Sequence, residues 1–107
     1  MNRGDVVTLA LPGGYGKPRP ALVVQSDLFD AHPSVTVLPI TSKLRDAPLF
    51  RVRIEPSVEN GLRKVSEIMV DKAHTVARNK ISRAIGKLEE DALLTVNRAL
   101  AVFLGFA

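Results

Sequence analysis

The feature that most constrains the fold is a single arginine held between two prolines, where an apolar run begins: Lys17-Pro18-Arg19-Pro20-Ala21-Leu22-Val23-Val24-Gln25. Proline fixes its own φ and favours extended geometry in the residue before it. Arg19 therefore enters a predicted β-strand on a stiff backbone. A guanidinium is always charged, and its planar fork suits phosphate. The stretch indicates either a phosphate-binding arginine or an ordinary strand start with a surface arginine.

Length and composition predict one domain over residues 1–107. The chain is 46% apolar and has no cysteine, which excludes a disordered chain, disulfides and thiolate chemistry. Its two histidines lack the spacing of metal ligands, so we expect no metal and no other cofactor. No apolar run approaches the roughly 18 residues of a membrane span, and no secretory signal is evident. We therefore expect a cytoplasmic protein without a membrane partner.

The charge balance favours a polyanionic partner. Fifteen basic and eleven acidic residues give a formal net charge of +4 and a pI near 9.9. An excess of this sign points first to nucleic acid. The excess is small, and soluble proteins that bind no polyanion also carry one.

Hydrophobic patterning predicts five or six strands followed by one helix. The strands are expected at 5–11, 19–25, 35–40, 49–54 and 65–76, with a less regular one at 81–88. The helix is expected at 88–106, with acidic residues in its first turn and Gly105 as its stop. Short strands with tight connections predict a small, curved antiparallel sheet or partial barrel. The helix has excess apolar surface, which would close the core or meet a partner chain.

Three stretches carry candidate nucleic-acid contacts. Tyr15 lies among glycines, where it would stack on a base or anchor the loop. Thr41, Ser42 and Lys43 place two hydroxyls and an ammonium at a strand end, where they would contact phosphate or form an ordinary turn. Two arginines, Arg51 and Arg53, share one strand face, which would follow a nucleic-acid backbone or simply be exposed.

Four segments, in order, resemble the MazF/PemK toxin family of type II toxin–antitoxin modules. They are Arg3-Gly4-Asp5-Val6-Val7, the stretch from Gly16 to Val24 around Arg19-Pro20, Pro39-Ile40-Thr41-Ser42, and the stretch from Ser66 to Val76. The resemblance implies a curved, SH3-like antiparallel β-barrel with a long C-terminal helix, acting as a homodimer. It also implies metal-independent cleavage of single-stranded RNA at short sequences, leaving 2′,3′-cyclic phosphate and 5′-hydroxyl ends. A cognate antitoxin would lay an extended acidic segment over the RNA groove.

The resemblance assigns roles to individual residues. The catalytic arginine falls on Arg19 and the catalytic threonine on Thr41, with Ser42 beside it. Acidic groove positions fall on Asp5 and Asp71. We expect the RNA-binding surface to comprise Asp5, Tyr15, Lys17, Ser42, Lys43, Asp71 and Lys72.

One segment departs from the family pattern. The common D-Q-x-R-T reads Asp71-Lys72-Ala73-His74-Thr75, and Met69 stands where some members have a second arginine. An imidazole is well suited to proton transfer near neutral pH. We therefore include His74 in the catalytic set as a hypothesis; the alternative is a surface or packed histidine.

Two other functions remain open from the sequence. Gyrase-poisoning toxins of the Ccd type share this fold and characteristically end in Trp-Gly-Ile, whereas this chain has no tryptophan and ends Phe103-Leu104-Gly105-Phe106-Ala107. A non-catalytic SH3-like RNA-binding module is also compatible with the net charge. The Arg-Pro and Thr-Ser motifs favour the nuclease.

Overall fold

The structure, a computed structural model, describes residues 1–10 and 16–107. Across these residues the chain forms seven strands, one α-helix and three 3₁₀ turns. The strands are β1 (Asp5–Ala10), β2 (Pro18–Val23), β3 (Ser34–Thr41), β4 (Arg51–Ile54), β5 (Ser66–Met69), β6 (His74–Ala77) and β7 (Ile81–Lys87), and the helix is α1 (Glu90–Leu104). The 3₁₀ turns lie at Asp27–Phe29, Val70–Lys72 and Arg78–Lys80.

The sheet is antiparallel and is built around β3. Its strand order is β4-β5-β3-β2-β1-β7. One edge of β3 pairs with β2, whereas the other pairs first with β6 and then with β5. Because two strands share one edge of β3, the sheet must bend along that strand. Within the described residues no ladder joins β4 to β7, so the sheet is open, and the predicted fold class is confirmed.

The core has two parts because β1 is buried on both faces. Val6 packs with Leu22 and Leu38 in the larger cluster, beneath α1. Val7 and Leu9 belong to a second cluster on the opposite face. Neighbouring strand residues point to opposite faces, which is why one short strand supplies both clusters.

The C-terminal helix covers the larger cluster with one stripe. It begins after Glu89 and ends at Gly105, which has the left-handed φ of 83° that favours glycine in this position. Val96 is fully buried, while Leu94, Val102 and Phe103 stay about half exposed. The helix therefore contributes to the core and also leaves apolar side chains uncovered.

The prediction of one strand over 65–76 is wrong. Two strands, β5 and β6, lie there, separated by the 3₁₀ turn Val70–Lys72. Val70 is buried in the larger cluster at this corner, so the apolar pattern continues through the turn and conceals it. The weak alternation at 81–88 also has a cause, because the β1–β7 ladder shifts register twice.

A buried polar group ties the 55–61 segment to the start of α1. Ser57 Oγ donates to the Glu89 carboxylate at 2.6 Å, and Asn60 Nδ2 donates to it at 3.2 Å. The hydrogen bond from Ser57 lowers the pKa of Glu89, since it outweighs the opposing effect of burial. This group stabilises the connection between the 55–61 segment and the helix start.

Candidate RNA-binding groove

An open groove of about 1320 Å³ crosses the bent sheet. Its walls come from β1, β2 and β7, from the end of β3, and from the segments on either side of β5. Six basic side chains line it: Arg19, Lys43, Arg63, Lys64, Lys72 and Arg83. No carboxylate lines it among residues 1–10 and 16–107. The electrostatic potential in the groove is therefore more positive than the net charge of the whole chain would suggest.

Arg19 lies at the second position of β2, where the two flanking prolines restrict its backbone. Its side chain is exposed and lines the groove. In the described part of the chain, the guanidinium has neither a hydrogen-bond nor an ion-pair partner. Its donors are therefore available to a bound anion.

Thr41 is the last residue of β3, and its hydroxyl is oriented by the turn that follows. The backbone N–H of Lys43 donates to Thr41 Oγ1 at 3.1 Å. This is the local turn that hydroxyl residues form with the N–H two residues ahead. Because the oxygen already accepts one hydrogen bond, the hydroxyl proton can be donated to an anion in the groove.

The opposite wall comes from the corner between β5 and β6. Met69, Lys72 and His74 line the groove there. His74 starts β6, lies across from Val37 and is partly buried. The fold thus brings all three predicted catalytic residues, Arg19, Thr41 and His74, to one groove, together with Ser42, Lys43 and Lys72.

Four other predicted RNA contacts lie elsewhere or are not described. Asp5 accepts the N–H of Asn2 at 2.8 Å and lies opposite Lys87. Asp71 lies 3.7 Å from the ammonium of Lys72, and its other oxygen is buried without a partner among the described residues. Neither aspartate lines the groove, and Lys17 is exposed just before β2. Tyr15 lies outside the described residues.

Sequence reasoning missed three basic side chains of the groove. Arg83 lies on β7 opposite Thr8, which lies opposite Pro20 on β2, so these residues form one row across three strands. Arg63 and Lys64 precede β5. No spacing rule joins these positions to Arg19, because only the strand order brings them together.

Glu67 forms a buried ion cluster beside the groove and is only 3% exposed. Arg53 donates to it at 2.7 and 3.2 Å, Arg51 donates at 3.3 Å, and the backbone N–H of Arg45 donates at 2.9 Å. Burial alone would raise the pKa of Glu67. The hydrogen bonds from Arg53, Arg45 and Arg51 and the charge of Arg53 outweigh burial and lower that pKa.

In the described part of the chain, no three side chains of His, Cys, Asp or Glu converge as ligands for a metal ion. Likewise, none of the described helices has the length and apolar character required to span a membrane.

Solved structures of MazF-type endoribonucleases share this fold. A mycobacterial endoribonuclease, solved with its cognate antitoxin, superposes with a TM-score of 0.85 at 23% identity, covering 100% of this chain and 97% of that one. MazF in a MazE–MazF complex from Deinococcus radiodurans gives 0.78 at 23% identity, covering 98% of this chain and 95% of that chain. At these identities the likeness shows a shared fold.

Sequence comparisons make the assignment specific. The family model for the PemK-like, MazF-like toxin of type II toxin–antitoxin systems matches residues 2–104. The probable endoribonuclease MazF of Mycolicibacterium smegmatis is 51% identical over 108 residues, covering 100% of this chain and 99% of its own length. Endoribonuclease MazF of Staphylococcus saprophyticus is 30% identical over 111 residues, covering 98% of this chain and 92% of its own. The chain belongs to the PemK-like, MazF-like toxin family, as a MazF-type endoribonuclease.

Proposed function

We propose that this toxin cuts single-stranded mRNA at a short sequence in the cationic groove, without a metal ion. The products are a 2′,3′-cyclic phosphate and a 5′-hydroxyl. The observation that carries the proposal is the convergence of Arg19 and the Thr41 hydroxyl in one groove lined by basic side chains. Both groups are donors suited to a phosphate, and they come from neighbouring strands of a rigid sheet.

The chemistry needs anion stabilisation at the scissile phosphate. The O2′–P bond forms, the P–O5′ bond breaks, the 2′-hydroxyl loses a proton and the 5′-oxygen gains one. Negative charge builds on the non-bridging oxygens between these events. Arg19 and the Thr41 hydroxyl are preorganised donors for that charge. Since the Thr41 oxygen is occupied by the Lys43 N–H, the hydroxyl has its proton to give.

Proton transfer needs a different side chain, because a guanidinium keeps its proton in proteins and is therefore a poor base. We assign acid–base work to His74, which lines the same groove. A His74→Gln variant should lower the cleavage rate and flatten its pH profile near neutrality. His32→Gln is the matched control, since His32 lies on an exposed turn outside the groove. An unchanged rate and profile in His74→Gln would assign His74 to packing.

RNA affinity is proposed to come from the groove cations. Ser42, Lys43 and Lys72 share the groove with Arg19 and Thr41, so they would contact the phosphates nearest the cut. Roles for Asp5, Tyr15, Lys17 and Asp71 in RNA binding remain predictions from the family resemblance. Substitution of these four residues should change the preferred cut sequence more than the rate at an optimal site.

The same surface suits the proposed protein partners. An extended acidic segment of a cognate antitoxin would find basic residues along the groove and would compete with RNA for them. The uncovered apolar residues of α1 support a homodimer. We expect the purified toxin to run as a dimer in size-exclusion chromatography with light scattering.

The deciding experiment incubates the purified toxin with a long, mixed-sequence RNA in EDTA and maps both fragment ends. Arg19→Ala is the test variant, and Arg98→Ala, an exposed α1 arginine outside the groove, is the control. We expect cuts at one short motif with cyclic phosphate ends, retained in the Arg98 variant and lost in the Arg19 variant. Cleavage that requires added metal, or that survives Arg19→Ala at the full rate, would overturn the proposal.

A further inference from the structure

Glu67 contacts the polypeptide immediately after Thr41 as well as the neighbouring strand. Thr41 and Glu67 lie directly opposite each other in the β3–β5 ladder, so their side chains share a face of the sheet. The chain leaves β3 at Thr41 and turns back, and the N–H of Arg45 then donates to Glu67 Oε1 at 2.9 Å. The carboxylate thereby fixes the far end of the 42–45 turn.

Arg51 links Glu67 to the middle of the same turn. Its Nη1 donates to Glu67 Oε1 and to the backbone carbonyl of Lys43, both at 3.3 Å. The Arg51 side chain is only 8% exposed, so solvent cannot readily replace Glu67 as its partner. The backbone carbonyl of Lys43 is therefore held through Arg51 by a buried carboxylate.

Lys43 in turn orients the Thr41 hydroxyl, since its N–H donates to Thr41 Oγ1. These contacts form a path from Glu67 through Arg51 to Lys43, and from Lys43 to Thr41, while the Arg45 N–H anchors the far end of the turn to Glu67. Glu67 itself does not line the groove. Its side chain reaches the groove through hydrogen bonds to this turn.

We propose that Glu67 is a positioning residue, which holds the Thr41 hydroxyl in its phosphate-donating orientation by fixing the 42–45 turn. The inference rests on the proposed role of Thr41 in RNA cleavage. A hydrogen-bond donor displaced by about 1 Å can cost roughly a hundredfold in rate. Glu67→Gln removes the charge and adds a competing donor at nearly constant volume, so it loosens the turn without leaving a cavity.

The test is a double-mutant cycle of Glu67→Gln and Thr41→Ala, with kcat and KM measured on an RNA that contains one mapped cut site. We expect Glu67→Gln alone to lower kcat about tenfold with little change in KM, as for a partly displaced donor. In the Thr41→Ala background the same substitution should lower kcat less than about twofold, because the group it positions is gone.

Two control variants separate positioning from general loss of stability. Glu89→Gln disrupts another hydrogen-bonded carboxylate, which contacts Ser57 and Asn60 and has no bond to the 42–45 turn among the described residues, and it should leave kcat per folded molecule unchanged. Arg51→Met keeps Glu67 but removes the donor to the Lys43 carbonyl. This variant takes the place of Glu67→Gln in the cycle if Glu67→Gln does not fold. Equal losses of kcat in both backgrounds, or an equal loss in Glu89→Gln, would overturn the proposal.

A readout without RNA keeps this inference separable from the proposed function. NMR couplings should show one Thr41 χ1 rotamer in the wild type and rotamer averaging in Glu67→Gln, together with faster exchange of the Arg45 amide. A wild type that fails to cut RNA would overturn the proposed function, and the NMR comparison would still decide the orientation of Thr41. An unchanged rotamer and amide would overturn the positioning role even where RNA is cut.

Discussion

Arg19 and the pair Arg51 and Arg53 look alike in sequence, but the fold gives them opposite environments. Arg19 lines the groove with no partner among the described residues. Arg51 and Arg53 both donate to one buried carboxylate, Glu67. An arginine becomes a binding residue or a structural one according to what the strand register places opposite it. The single carboxylate therefore offsets one of the two positive charges on the basic face expected for β4.

This difference predicts that the two regions respond to different measurements. The groove holds six basic side chains whose mutual repulsion costs stability until a polyanion binds. In the Glu67 cluster the carboxylate accepts hydrogen bonds from both arginines and from the Arg45 N–H, so its loss should appear first as a loss of folding free energy. Substitutions in the groove should lower activity and binding while leaving the fold intact.

The sharpest test compares two single variants, Arg19→Ala and Arg53→Ala. Arg19→Ala should lower kcat about a hundredfold to a thousandfold, as removal of one preorganised oxyanion donor does. Its free energy of unfolding should change by less than about 0.5 kcal/mol, because no described contact is lost. Arg53→Ala should destabilise the fold and reduce kcat far less. Single-turnover cleavage and urea unfolding measure both quantities, and the comparison fails if Arg53→Ala abolishes cleavage without destabilisation.

Glu67→Ala should give the largest stability change of the two regions, a loss of about 2–4 kcal/mol. The substitution leaves the Arg45 N–H without its acceptor and the buried Arg51 guanidinium without its counter-charge, with only the Lys43 carbonyl as a partner. The exposed side chain of Arg53, at 53%, regains water and limits the loss. Glu59→Ala, at an exposed carboxylate, is the control in urea unfolding and should cost less than about 0.5 kcal/mol. Equal losses in the two variants would contradict a structural role for the cluster.

Local chemistry in the sequence was enough to predict part of the site. The prolines around Arg19 predicted a stiff strand start, and the hydroxyls at 41 and 42 predicted a strand end with donors. The strand order was not predictable, because it brings Arg83 beside Thr8 and Glu67 beside Arg53 across long separations in sequence. The turn at Val70–Lys72 was missed because a buried valine at a corner carries the same hydrophobic signal as a valine in a strand.

Salt dependence should separate the two regions more finely. Each phosphate contact to single-stranded nucleic acid contributes about 0.7 to the slope of log K against log salt. Lys43→Ser and Lys72→Ser should each lower the slope by about that amount, whereas Arg53→Ser should leave it nearly unchanged because Arg53 does not line the groove and is bound to Glu67. The measurement uses an RNA with a 2′-deoxynucleotide at the mapped cut site, which binds but cannot cyclise. A slope that falls with Arg53→Ser would place β4 in the RNA interface.

The smallest effect concerns acid stability. Burial raises the pKa of Glu67, but the contacts with Arg53, Arg45 and Arg51 lower it by more. The net pKa therefore lies below the ordinary value of 4.5. A lowered pKa in the folded state stabilises the protein above pH 4.5, and this contribution is lost as the pH falls through the folded-state pKa. In thermal unfolding below pH 5, Glu67→Gln should therefore lose stability less steeply than the wild type. Only part of the dependence of stability on pH should disappear, because the pKa of Glu89 is also lowered in the folded state. Glu89→Gln should remove a separate part of that dependence. The contrary result would be that Glu67→Gln loses stability with falling pH as steeply as the wild type. In that case a neutral amide would bind the arginines as well as the carboxylate does, and hydrogen bonding rather than charge would hold the turn beside the groove.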